Sequence, residues 1–182
     1  MYKTILILIC IFILICIYLS HNINTLEIAQ YTIKNKKIPK EFDGYNIVQI
    51  SDLHSKSFGK NNIKLLQKIK SLNPDIIVIT GDLVDGENNN YDIALNFMKE
   101  LTKLYKVYYI IGNHEQKALI KKYKQEYIKY FEELNQIDFI NLDDDKVKIQ
   151  KNNSKINLYG LTVPYSCYKY LFVFSLYHRL NL

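Results

Sequence analysis

Three short segments carry residue types that hold metal ions and move protons: Asp52-Leu53-His54, Gly81-Asp82-Leu83-Val84-Asp85-Gly86 and Gly112-Asn113-His114-Glu115. Asp52 and His54 are two apart, so on an extended chain both side chains point to one face and can grip one ion. Asp82 has two carboxylate oxygens and can bridge a pair of ions. Asn113 offers a neutral carbonyl oxygen to the second ion. His114, its immediate neighbour, is expected to point elsewhere, toward substrate, where a pKa of about 6.5 suits proton donation to a leaving oxygen. Gly81 and Gly112 lack a Cβ, which lets the backbone turn sharply and approach the ions. Mixed carboxylate, imidazole and amide donors suit Mn, Fe, Zn or Co better than Ca or Cu(I). Two divalent ions exceed the charge of Asp52 and Asp82, and the surplus suits a phosphate and an activated hydroxide attacking in line.

Each segment alone has an ordinary explanation: a turn cap, a type I turn running into a helix, and a helix N-cap. Their setting separates them from those. Each follows a short β-rich run, at residues 46–51 (NIVQIS), 75–80 (DIIVIT) and 107–111 (VYYII). Apolar residues at nearly every position suit strands covered on both faces, as in parallel sheets. Between the runs, Ile63, Leu66, Ile69 and Leu72 recur at helical spacing until Asn73-Pro74, and a second apolar helical face runs from Ile93 to Leu104. Strand–helix–strand–helix–strand predicts an α/β fold with a parallel βαβαβ core. Ligands of such sheets bind beyond the carboxyl ends of the strands, where all three segments lie. Downstream, a Lys-rich helix over 116–134 and short strands near 139–142, 146–150 and 155–159 are expected. The lysines of that helix could meet anionic headgroups, although a solvated face explains them more simply.

Upstream, Ile5 to Leu19 is apolar throughout. It predicts a single transmembrane helix over residues 1–20, with 21–45 as a linker or edge strand and 46–182 as the domain. Lys3 and the amino terminus precede the helix and only Glu27 follows closely, which favours an extracytoplasmic domain, while Lys34, Lys36 and Lys37 argue the opposite. The 182 residues are 48% hydrophobic and 23% charged, which excludes a disordered or collagen-like chain. Cys10, Cys16 and Cys167 are too few for a disulfide framework. The net charge of +6 is nearly all scattered lysine, with Arg179 the only arginine. A nucleic-acid partner is therefore not expected.

The segments D-L-H, G-D-L-V-D and G-N-H-E resemble the successive signatures of the calcineurin-like metallophosphoesterases. FDGYNIVQISDLHS, PDIIVITGDLVDG and YYIIGNHE are similar to their membrane-associated bacterial branch, over about residues 40–165. The resemblance implies an α/β/β/α sandwich, two divalent metal ions, and hydrolysis of phosphomonoesters, phosphodiesters or pyrophosphates. It implies that Asp52 and His54 bind the first metal, Asp82 bridges, Asn113 binds the second, His114 assists catalysis, and Asp85 and Glu115 stand behind them. A phosphorylated small molecule is the substrate class the likeness implies, and a lipid-linked one is suggested by the expected membrane location alone.

The family's pattern continues with an isolated His and a Gly-His-x-His motif. Here the histidines are His21, His54, His114 and His178, and no Gly-His-x-His occurs. The expectation is a C-terminally truncated domain, the first half of the sandwich. One metal is then held weakly, activity is impaired, and one apolar sheet face lies open to solvent. The alternative reading is a non-catalytic remnant or metal-binding module.

Overall fold

The computed structural model describes residues 2–23 and 25–168, apart from the side chains of 17 and 19–23. His178 and the apolar stretch around it lie outside the described residues. The chain divides into two compact units, Met1–Lys34 and Asn35–Leu182.

The first unit contains α1 (Tyr2–Ile23). Its side chains from Ile5 to Ile15 are exposed and apolar. The membrane-spanning anchor expected over residues 1–20 is corrected here: among the described residues no helix is long and apolar enough to cross a membrane. The physical reason is length. The uncharged apolar run is fifteen residues, about 22 Å of helix against a hydrocarbon core of about 30 Å.

In the stretch expected as a linker or edge strand, residues 25–45 form no strand and carry a single 3-10 turn, Lys40–Phe42. Four parallel strands follow: β1 (Ile47–Ile50), β2 (Ile76–Ile79), β3 (Val107–Tyr109) and β4 (Ile140–Asn141), side by side in that order. They are joined by α2 (Ile63–Ser71), α3 (Asp92–Thr102), and the pair α4 (Asn113–Ala118) and α5 (Lys124–Leu134). Right-handed crossovers between strands taken in sequence order place all the helices on one face. The main core agrees: Ile50, Ile77, Ile79, Val107 and Tyr109 pack with Ile69 of α2, Phe97 and Met98 of α3, and Tyr127 and Tyr130 of α5.

The alternate residues of the same strands face the other way, as the pleat requires. Ile76 and Tyr108 pack there with Phe42 and Ile149. Ile149 belongs to an antiparallel hairpin, β5 (Lys146–Lys151) and β6 (Ser154–Tyr159), turned at Asn152-Asn153. The hairpin leaves Ile76 only 3% and Tyr108 2% exposed, so this sheet face is not left open as expected. Helices, parallel sheet and hairpin account for three of the four layers the resemblance implies.

The single helix expected over 116–134 is two. Residues 119–123 close with i to i−3 hydrogen bonds, including Ile120 N–H to Lys117 O and Lys124 N–H to Lys121 O. Ala118-Leu119-Ile120 breaks the helical period, and the chain re-registers so that Tyr127, Tyr130 and Leu134 are buried.

Candidate metal centre

Three neighbouring parallel strands end at the same edge, which brings segments separated by about thirty and sixty residues of chain into one loop cluster. The loops are laced by backbone bonds. Asp52 N–H donates to Gly81 O at 3.3 Å, His54 N–H to Asp82 O at 2.9 Å, and Ser55 N–H to Leu83 O at 2.8 Å. Asp52, His54, Ser55 and Asp82 all have positive φ, between 47° and 56°. Such left-handed non-glycine residues are costly and persist only where the surroundings over-determine them. Gly81 and Gly112 touch through their backbones: a Cβ on Gly81 would strike the Gly112 Cα, and one on Gly112 would strike the Asp82 carboxylate and amide.

Glu115 organises these loops. It is fully buried, and its carboxylate accepts N–H bonds from Asp82 (2.9 Å), Leu83 (2.6 Å), Val84 (3.3 Å) and Gly112 (3.1 Å). Burial pushes its pKa up to about 7, the Asp82 charge adds to the rise, and the N–H donors hold it down. Tyr127, from α5, accepts the Gly86 N–H at 3.1 Å and fixes the far end of the same loop.

His54, Asp82 and His114 each offer a ligand atom, and these atoms all lie within 4.8 Å of one another. The two imidazole rings meet edge-on, centroids 4.5 Å apart at 71°. Asp82 Oδ1 also accepts the His114 backbone N–H at 2.8 Å. His114 Nδ1 is hydrogen-bonded to the Asp85 carbonyl, with an Asp85 carboxylate oxygen 3.7 Å away. A carbonyl oxygen only accepts, so Nδ1 carries the proton and the Nε2 lone pair of the neutral ring is left for the centre. Instead of turning away from the ligands, the His114 ring is swung by its bond to Asp85 back against His54.

Asp52 stands outside this trio. Its side chain is 65% exposed, and Oδ1 lies 3.7 Å from His54 Nε2, while Oδ2 accepts the Ser51 hydroxyl. Asn113 is the first residue of α4, half-buried beside His114. The donor set fits a divalent ion. Two imidazoles and a carboxylate converge, and His54 Nδ1 is buried with no hydrogen-bond partner among the described residues. Such a set suits the borderline metals.

Sequence reading missed a second shelf of residues around the site. Asp143 accepts the Ile111 N–H at 2.8 Å and the Thr162 hydroxyl at 2.6 Å, and Asp144 accepts the Thr162 N–H at 2.9 Å. Gln116 donates to Val163 O at 3.0 Å and accepts the Tyr165 N–H at 2.8 Å. Burial raises the pKa of the Tyr168 phenol, and the Asp82 and Asp52 charges add to it. The run Asp143-Asp144-Asp145 was the one visible signal. Gln116 and Thr162 carried none.

Comparison with known proteins gives the same assignment. The family described as calcineurin-like phosphoesterase matches residues 45–178. The chain is 34% identical over 94 residues to the uncharacterized metallophosphoesterase YkuE of Bacillus subtilis, covering 50% of this chain and 33% of that protein. It is 33% identical over 126 residues to the probable glycerophosphodiester phosphodiesterase GpdQ of Arcobacter nitrofigilis, covering 60% and 44%. To the UDP-2,3-diacylglucosamine pyrophosphatase LpxG of Chlamydia muridarum it is 30% identical over 92 residues, covering 47% and 28%. The chain thus spans less than half the length of these relatives. The phosphopantetheinyl hydrolase PptH of Mycobacterium tuberculosis superimposes with a TM-score of 0.43 at 16% identity, covering 64% of this chain and 42% of that one. With three signature segments gathered at one sheet edge and a family match running across most of the second unit, the chain belongs to the calcineurin-like phosphoesterases, hydrolases that act on phosphoric esters.

Proposed function

We propose that this chain hydrolyses a phosphodiester or pyrophosphate bond at a divalent cation of the Mn, Fe, Zn or Co class held by His54, Asp82 and His114, with Asp52 and Asn113 beside them. The observation that carries this reading is the convergence of three donors from three separate loops within 4.8 Å. GpdQ and LpxG, named as a glycerophosphodiester phosphodiesterase and a UDP-2,3-diacylglucosamine pyrophosphatase, support that substrate class over a simple monoester. A bound cation supplies a Lewis acid that acidifies water and offsets phosphate charge.

The chain's own residues do the rest. Glu115 holds the Asp82 and Gly112 loops in register. Asp85 fixes the His114 tautomer through its carbonyl, which turns the Nε2 lone pair toward the cation. Asp52 lies against the His54 ring and restrains it. Hydrolysis of bis-p-nitrophenyl phosphate by the full chain with Mn²⁺ is expected, lowered about 100-fold or more by Asp82→Ala. Calorimetric titration is expected to show one Mn²⁺ per chain. No turnover by the unsubstituted chain, or an Asp82→Ala variant that keeps its rate, would refute the catalytic reading; two tight sites would refute the single centre.

The first unit supports a further proposal, that α1 attaches the enzyme to a membrane. Its support is an exposed helix surface running from Ile5 to Ile15, apolar on every side.

A further inference from the structure

We propose that residues 162–168 form a substrate-contacting wall of the metal centre, and that Gln116 is the positioning residue that holds this wall in place. The inference rests on the phosphoesterase reading above, but its decisive measurements do not require turnover.

The segment has no regular pairing with the sheet, yet its first four residues are pinned by two separate anchors. At its start, Thr162 is held twice: its hydroxyl by Asp143 and its N–H by Asp144. Asp143 simultaneously holds the Ile111 N–H, at the exit of the strand that leads into Gly112-Asn113-His114. The first anchor is therefore shared with the site's own loop. The second anchor is Gln116. Its amide is used at both ends, N–H to Val163 O and carbonyl to the Tyr165 N–H, as a strand neighbour would use its backbone.

Helix geometry then fixes where the segment passes. Asn113 and Gln116 are three apart on α4, so they are neighbours on one face of that helix. A segment hydrogen-bonded to Gln116 therefore runs along the same short helix that carries Asn113 and His114. Three residues past Tyr165 the chain places Tyr168, 37% exposed, within the electrostatic reach of Asp52 and Asp82. The segment thus leaves the helix that carries Asn113 and His114 and ends at a phenol that feels the Asp82 and Asp52 charges. A phosphate ester at the centre would meet this segment through its backbone and the Tyr168 phenol. A neutral wall with a hydroxyl donor suits the substituent of a diester better than a second charged group, because no Lys or Arg lies within 162–168.

The test compares the full chain with Gln116→Ala and Gln116→Glu, each loaded with Mn²⁺. Glutamate can still accept the Tyr165 N–H but cannot donate to Val163 O, so it should fall between the other two. Hydrogen exchange of the peptide covering residues 162–168 is expected to quicken about tenfold in Gln116→Ala, with Mn²⁺ affinity unchanged. The dissociation constant for inorganic phosphate should rise about tenfold, the equivalent of one lost hydrogen-bonded contact. Where turnover is present, KM for bis-p-nitrophenyl phosphate should rise by a similar factor with kcat within about twofold. Absence of turnover in the unsubstituted chain would count against the proposed activity alone, since exchange and phosphate affinity still decide this question. Unchanged exchange, quickened exchange with unchanged phosphate affinity, or loss of Mn²⁺ binding in Gln116→Ala would overturn the assignment.

Discussion

Glu115 is the residue on which two of the three site loops depend, and its titration has a definite sign. In the unfolded chain its carboxyl has the ordinary value of 4.5, and burial lifts it to about 7 in the fold. Between those values the folded state binds more proton than the unfolded one, so metal-free stability falls as pH rises across that window. The slope reaches up to about 1.4 kcal/mol per pH unit. Below 4.5 the contribution is fully present; above about 7 it is lost. The expected result is a metal-free melting temperature that declines from pH 4.5 to 7, with the decline flattened in Glu115→Gln. A melting temperature that climbs across this range, or one with the same slope in both proteins, would contradict the assignment. The ionised form is the one that accepts four N–H groups, so a cation at Asp82 and the clamp at Glu115 favour each other.

At the scale of elements, the hairpin decides whether the sheet is buried on one face or two. Ile149 is the centre of that contact, packed with Phe42, Ile76 and Tyr108. Ile149→Ala removes buried methylenes and leaves a cavity, a loss of about 2–5 kcal/mol. It should lower the melting temperature and raise binding of a hydrophobic dye. Mn²⁺ affinity should remain within about twofold, because none of the three site loops contributes to that cluster. A selective loss of metal affinity at unchanged stability would show that the hairpin supports the centre directly. The break between α4 and α5 belongs to the same scale. It lets α4 follow the demands of Glu115 and Gln116 while α5 follows those of Tyr127 and Tyr130. One straight helix could not present both sets of residues, since its faces repeat rigidly every 3.6 residues.

At the scale of the whole molecule, the two units differ in what they bury. The second has a two-sided core, with Ile77, Phe97, Met98 and Leu101 wholly enclosed. In the first, the described apolar side chains from Ile5 to Ile15 are exposed, a surface that soluble proteins rarely leave uncovered. Fractionation of cells producing the full chain is therefore expected to place it with membranes, released by detergent and retained in about 1 M salt, where electrostatic attachment is screened. Release by salt alone would rule out apolar attachment through α1.

The amino-acid sequence alone determined what is local. Apolar runs of strand length followed at once by Asp-x-His, Gly-Asp and Gly-Asn-His specify parallel strands with their chemistry at the carboxyl ends, and β1, β2 and β3 form where those runs lie. Those properties reside in a few consecutive residues, so periodicity and residue type reveal them. Tertiary structure decided what depends on distant partners. The His114 ring lies against His54 because Asp85, twenty-nine residues earlier, holds its Nδ1. Gln116 matters because Val163 and Tyr165 lie 47 and 49 residues onward. The second sheet face is covered because Ile149 returns to it after β4. A hydrogen bond or an apolar contact is made by whichever group arrives in space, and no pattern along the chain records that arrival.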